Sequence, residues 1–330
     1  MPQPSWHPEQ FAARLPFLRR RARLTQATRA FFDARGYLEV ETPYAVPVPG
    51  EEVHLRAFRT EHVGTDGTRT PLWLHTSPEF AMKTLLVAGA GPIFQVARVW
   101  RNEEGSDTHA PEFTMLEWYR PGASLAGLMD ETEALLRAVL PPVVRCRGVE
   151  TSLAAFDRVS VAEAFTRWVG ADVLGTAGDA QGLAAQAGVR LRDGEGWEDL
   201  FFRLLLDRVE PNLGRERPTF LTHWPADQAA LACRDPADPR AALRFELFVC
   251  GMELANAFEE LTDATEQRAR FAADRARREA LYGPGWGTDE RFLAALEFGM
   301  PAGSGIALGF DRLAMIAGGA DRIGLVQWAG

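Results

Sequence analysis

The sequence predicts an α+β fold on two observations. PIFQVARVW and FTMLEWYRP are dense in aromatic and β-branched residues and read as paired strands, and PTFLTHW and LRFELFV repeat that composition later in the chain. Around these runs lie stretches with apolar residues at helical spacing, bounded by caps and breakers.

Residues 17–35 place Leu18, Ala22, Ala27, Phe31 and Ala34 along one helical stripe. Arg19, Arg20, Arg21 and Arg23 are expected on the wet face, and Gly36 is expected to end the helix in a left-handed conformation. YLEVETP is a short strand stopped by Pro43. After a loop-rich section, Ser77 is placed to cap a helix with Pro78 and Glu79 in its first turn and Gly89 at its end. The strand pair follows, then a helix from near Ser124 that Pro141 and Pro142 stop, a soft boundary. Residues 151–215 read as a mainly helical insert devoted to packing, with Ser160 and Glu163 forming a capping box. GMELANAFEEL continues the sheet or leads into the next helix. That helix opens at Asp263 and Glu266 as a second capping box and aligns Ala269, Ala272, Ala276 and Ala280 on one face. GSGIALGFDRLAMIAGG closes the chain as a glycine-punctuated strand running into a helix.

Bulk properties narrow the function. A net charge of -9 disfavours coating nucleic acid through the overall field, because phosphate neutralisation needs clustered Lys and Arg. Three widely spaced cysteines without CxxC indicate neither a disulfide framework nor a zinc site, and a reduced, cytoplasmic setting fits them. There is no signal pattern at the N-terminus and no apolar run of membrane-spanning length. HExxH and Gx₄GK[ST] are absent, and Gly303, Gly305 and Gly309 do not match GxGxxG.

Three features could carry chemistry. RNEEGSDTHAPEF, residues 101–113, is far longer and more charged than a hairpin connection of two to five residues requires. The C-terminal glycines permit either close approach to a ligand or relief of crowding in a buried strand, and Arg312 follows at a helix start, where backbone N–H groups favour anions. Glu246, Glu253 and Glu260 recur every seven residues among apolar neighbours; they either line an exposed face or need partners such as Mg²⁺, which takes one or two carboxylates plus phosphates.

Taken jointly, these features fit ATP, and the chain resembles the class II aminoacyl-tRNA synthetases. FFDARGYLEVETP is similar to motif 1, FQVARVWRNEEGSDTHAPEFTMLEWY to motif 2 and GSGIALGFDRLAM to motif 3. TSPEF, HAPEFTMLEWY and GMELANAFEELTDA resemble the lysyl-tRNA synthetase branch. The resemblance covers most of residues 17–330 and implies a single catalytic domain with a mixed, mainly antiparallel sheet flanked by helices. It leaves no room for an anticodon-binding domain, so the chain looks like the stand-alone paralogs that join a lysine to elongation factor P.

By position, the resemblance implies that Arg101 and Arg312 are catalytic. ATP would be bound by both, with Asn102, Glu103, His109, Ala110, Phe113, Glu246, Leu247 and Gly309. Glu246 and Glu253 would hold Mg²⁺. Ser77, Pro78, Glu79, Tyr119, Glu253, Asn256, Glu260 and Ala307 would line a pocket for a diamino acid. Ala307, where lysyl-tRNA synthetases have Gly, favours (R)-β-lysine over lysine. Ala110 stands where the family has Asn and Ala257 where it has Gly, which implies weaker ATP binding. The resemblance further implies a homodimer built through residues 17–43, and no tRNA or membrane as partner. A tRNA-charging synthetase, an ammonia-dependent asparagine synthetase and a non-catalytic paralog are the competing readings. Arg101, Glu103, Glu246, Glu253 and Arg312 are all present, which favours a working enzyme.

Overall fold

The computed structural model describes residue 4 and residues 6–328. The chain begins with α1 (Pro8–Asp33), β1 (Leu38–Glu39), β2 (Ala45–Val46), β3 (Arg59–Val63), β4 (Arg69–Leu74), α2 (Glu79–Val87), β5 (Ile93–Trp100) and β6 (Glu112–Pro121). It continues with α3 (Leu125–Val139), β7 (Val143–Cys146), β8 (Val149–Ser152), β9 (Asp157–Ser160), α4 (Val161–Trp168), α5 (Ala180–Ala187), α6 (Trp197–Leu204), β10 (Thr219–Pro225), β11 (Ala241–Val249) and β12 (Met252–Glu259). It ends with α7 (Ala264–Tyr282), α8 (Glu290–Gly299), β13 (Gly303–Gly309) and α9 (Phe310–Gly318). Two compact units result: the chain up to Ser124 together with the chain from Glu260, and Leu125–Glu259.

In the first unit the strand order is β1-β5-β6-β13, with β1 parallel to β5 and the other pairs antiparallel. Strand alternation gives this sheet two unlike faces. One carries Phe94 and Trp118, against which Phe32 of α1 packs with ring centroids 4.7 Å and 5.3 Å away. The other carries Gln95, Glu117, Tyr119 and Phe113, because Gln95 stands opposite Glu117 and Val99 opposite Phe113. Ala307 and Gly305 of β13 join that face opposite Glu117 and Tyr119. A separate antiparallel sheet has the order β2-β4-β3.

In the second unit β9 runs parallel to β10, and β10, β11 and β12 are antiparallel, with an irregularity at Leu247/Phe248. Its core is helical and aromatic: Phe201 stacks on Phe165 at 5.2 Å and on Trp197 at 5.3 Å. The capping box at α4 is formed in both directions by Ser160 and Glu163. Pro141 and Pro142 lie inside this unit, where they follow the end of α3.

Several local expectations change. α1 begins at Pro8 and keeps Pro16 inside it, so the helix starts well before residue 17. Its buried stripe is Arg14, Leu18, Arg21, Leu24, Thr28, Phe31 and Phe32, while Ala22 and Ala34 are exposed. Arg21 is therefore not on the wet face: it pairs with Asp311 of α9, which is 0 % exposed, and donates to Thr114 Oγ1 at 2.8 Å. A guanidinium can be buried when a carboxylate and a hydroxyl satisfy it, and that partner was invisible 290 residues away. In α7, Ala269, Ala272, Ala276 and Ala280 face solvent, and the buried residues are Gln267, Phe271 and Arg278. Asp263 caps α7 by accepting from the amides of Thr265 and Glu266, while the Glu266 carboxylate pairs with Arg270. Gly36 has φ 74°, as its expected place after α1 requires.

Asp311 also accepts from Gln327 Nε2 at 3.0 Å and from the Thr114 amide at 3.3 Å, so from α9 it is the common acceptor for α1, β6 and the C-terminal segment. Asp311→Ala is expected to lower stability by about 3–5 kcal/mol, because it strands a buried guanidinium. Urea midpoints of the two proteins measure this, and a shift too small to distinguish them would show that Arg21 finds water.

Candidate active site

The polar face of the first sheet is closed by α2, whose start is set by Ser77. Pro78 occupies the N-cap position and Ser77 precedes it, but the Ser77 hydroxyl still accepts from the Glu79 amide at 3.0 Å. The same hydroxyl donates to Glu117 Oε1 at 2.6 Å, and Tyr119 Oη donates to Glu117 Oε2 at 2.9 Å. Glu117 is 0 % exposed. Burial, reinforced by the charge of Glu79, pushes its carboxyl up to about 8. Burial first, then Glu117, likewise holds the Tyr119 phenol well above its ordinary range.

Beside this pair, Lys83 Nζ lies 2.5 Å from Glu79 Oε1 and 2.5 Å from Glu260 Oε2. Burial opposes the charge on Lys83, but Glu260 and Glu79 outweigh it and hold the ammonium above its usual value. Burial raises Glu260 to about 7 against the pull of Lys83. Glu260 Oε1 is buried and has no hydrogen-bond donor. A Cβ on Gly305 would sit 2.2 Å from the Tyr119 ring and 2.5 Å from this oxygen. Glycine there relieves crowding, and what it makes room for is the acidic cluster itself.

Arg101 stands at the far end of the same face. Its guanidinium lies 5.3 Å from the Phe113 ring centroid, and its buried Nε has no partner. The 101–111 loop is anchored rather than free: the Asp107 carbonyl accepts from the Ile323 amide at 2.7 Å, and the Asn102 amide donates to the Arg56 carbonyl at 2.7 Å. Within it, His109 Nδ1 meets Ser106 Oγ at 2.8 Å, and His109 Nε2 contacts Arg312 at the start of α9. Gly309 is the N-cap of α9. Glu103 is exposed at φ 64°, 3.6 Å from Arg56. Ala110 is half-buried, and Ala307 packs with Phe113 against Ala97, Val99 and Met115.

The chain has counterparts among known proteins. The family described as tRNA synthetases class II (D, K and N) matches residues 13–328. The chain belongs to the class II tRNA synthetases. It is 43% identical over 320 residues to a Haemophilus influenzae (strain PittGG) protein named elongation factor P-(R)-beta-lysine ligase, covering 96% of this chain and 95% of that one. Proteins of the same name from Proteus mirabilis and Edwardsiella ictaluri are each 44% identical, over 96% and 97% of this chain and 95% of theirs.

The class II fold expected from the sequence is thus the fold of this chain. The structure gathers Ser77, Pro78, Glu79, Tyr119, Glu260 and Ala307 on one face, and Arg101, Phe113, His109, Gly309 and Arg312 around the loop. Glu246, Leu247, Glu253 and Asn256 belong to the second unit, on β11 and β12. There burial first, then the charge of Glu253, raises Glu246 to about 8, against Arg244, whose Nη2 lies 2.5 Å away. A buried carboxylate beside the half-buried Glu253 suits a divalent cation, which takes one or two carboxylates plus phosphate oxygens. Among the described residues no three His, Cys, Asp or Glu side chains converge on a metal position, so such a cation would draw its other ligands from phosphates and water.

Two residues of the acidic face escaped the sequence reading. Glu117 was detectable: Phe113, Met115, Glu117 and Tyr119 share one face at period two, which buries a carboxylate among rings. Lys83 was detectable by count, being the one lysine among the 36 Lys and Arg residues of the chain.

Glu117 ionises near 4.5 when unfolded and near 8 when folded, so the folded state keeps a proton that the unfolded state releases. Its contribution is fully present below pH 4.5 and is lost as pH rises through about 8. Glu117→Gln is expected to flatten the decline of melting temperature over that window by an amount worth a few kcal/mol. Parallel melting curves for wild type and variant would show that Glu117 is ionised in the fold.

Proposed function

We infer that the chain is an ATP-dependent, AMP-forming ligase that activates (R)-β-lysine or lysine and transfers it to a lysine side chain of elongation factor P. The observation that carries this reading is a pair of unsatisfied buried groups of opposite sign on one sheet face: Arg101 Nε, fit for a phosphate, and Glu260 Oε1, fit for an ammonium. A diamino acid in reaction with ATP supplies both partners. The names of the relatives point to the same reaction.

In the first step a carboxylate oxygen of the amino acid attacks the α-phosphorus, and the bond to the bridging oxygen of pyrophosphate breaks. Arg101 holds the α-phosphate and offsets the charge that builds there. Phe113 and Arg312 enclose adenine, Glu103 reads its amino group, and His109 reaches the phosphates once Arg312 turns from it to the nucleotide. Asn102, Ala110, Leu247 and Gly309 complete the nucleotide's surroundings. Glu246 and Glu253 would hold Mg²⁺, which would offset the negative charge of the phosphates. Glu79, Glu260 and Tyr119, with Ser77, Pro78, Glu253 and Asn256, orient the amino acid so that its carboxylate meets phosphorus. Ala307 trims the pocket toward the β-isomer, a preference worth about 1–3 kcal/mol at most. In the second step the acceptor amine attacks the acyl carbon, loses a proton and displaces AMP.

Intact-mass analysis of elongation factor P after incubation with enzyme, ATP, Mg²⁺ and each lysine isomer tests this reading. One added aminoacyl mass is expected, and Arg101→Ala is expected to abolish amino-acid-dependent pyrophosphate exchange without unfolding. Aminoacylation of tRNA with no mass added to the protein would overturn it in favour of tRNA charging. We also propose a homodimer through residues 17–43, a segment in which Leu38, on β1 at the edge of its sheet, is 55 % exposed. Sedimentation at micromolar concentration is expected to give a dimer, and a monomer would refute it.

A further inference from the structure

Lys83 sits where a substrate ammonium would be sought, between Glu79 and Glu260, yet it belongs to the protein. Its side chain is 1 % exposed, and its ammonium lies 5.9 Å from the Phe292 ring centroid. Glu79 is one helical turn earlier on α2, so α2 alone would place those two together. Glu260 arrives from a different segment, fixed by its own amide donating to the Gly303 carbonyl at 2.9 Å.

A buried ion triad is a poor device for stability alone, since well-packed apolar residues often do as well or better. A self-contained triad would also satisfy all its carboxylate oxygens, whereas Glu260 Oε1 has no donor. Composition makes the same point: the chain uses arginine for every other cationic side chain of the 36 and keeps one lysine here. A compact ammonium can touch two carboxylates from different elements at 2.5 Å, where a planar guanidinium would demand a wider gap.

We propose that Lys83 is a positioning residue that sets the pocket's charge: it cancels one of the two charges of Glu79 and Glu260 and leaves one carboxylate oxygen for one ammonium of the amino acid. The inference rests on the lysine-activating reading above. Glu117 stands outside this count, because its two oxygens are taken by Ser77 Oγ and Tyr119 Oη. Without Lys83 two carboxylates face each other, one must take up a proton, and neither is held in place for the ligand.

The single lysine makes the test direct. In wild-type enzyme grown with ¹⁵N-lysine, the protein contributes one Nζ signal. It is expected to shift when unlabelled lysine is added and to stay in place with norleucine, which lacks the second ammonium. In pyrophosphate exchange, Lys83→Met is expected to raise the KM for amino acid about tenfold or more, with the KM for ATP changed less than about twofold. Lys83→Met with Glu79→Gln restores the charge count and is expected to recover part of that loss, the remainder reflecting the place of Glu79 in the pocket. An equal rise in both KM values, no recovery in the double variant, or an Nζ signal indifferent to lysine would overturn the proposal, and the wild-type spectrum decides should the variants not fold. Wild-type enzyme that exchanges pyrophosphate with no lysine isomer would instead remove the functional reading beneath it.

Discussion

Charge taken out of water must find its complement inside the protein, and the sheet β1-β5-β6-β13 is organised around that demand. One face meets it mainly with apolar packing under α1 and α9, where the buried pair Arg21–Asp311 is closed by Thr114 and Gln327, although Arg14 Nε and Thr28 Oγ1 of α1 have no hydrogen-bond partner. The other face buries Glu117, Glu260, Lys83 and Gln95 and leaves part of the demand unmet at Glu260 Oε1, Gln95 Nε2 and Arg101 Nε. A stable fold tolerates a few such atoms only where something else completes them. The difference between the two faces is the difference between a scaffold and a binding surface, and both are built from alternate residues of the same strands.

That division also explains how much was legible in the sequence. The β5–β6 hairpin, the caps at Ser160 and Asp263 and the strand-to-helix turn at Gly309 depend on residues close together in the chain, and short-range patterns record them. Arg101 and Phe113 belong to this class: their loop was too long and too charged for its connection, and its two ends do meet as a stacked pair. Arg21 is different. Its pattern in α1 reads as a solvated charge, because the residue that satisfies it is 290 positions away. The alanines of α7 misled for a related reason: helical periodicity names a candidate stripe, but tertiary packing chose the one bearing Phe271 and Arg278.

The acidic face was partly legible. Glu79, Tyr119 and Glu260 came from resemblance, and the structure adds why they sit together: a serine that serves both α2 and Glu117, and a glycine at 305 that clears the space. Lys83 and Glu117 lay outside motif-based reading because neither matches a motif position with a named role. Their importance is electrostatic and collective, and it emerges only when the charges are counted in three dimensions.

The lone lysine has one more consequence. An aminoacyl-adenylate is a mixed anhydride that acylates whatever unprotonated amine it meets. The chain's only side-chain amine is buried, paired with two carboxylates and held in its ammonium form. Its arginines, protonated at any physiological pH, are poor nucleophiles. A surface without lysine offers the activated group no side-chain amine of its own to attack, whereas the lysine of an acceptor protein does.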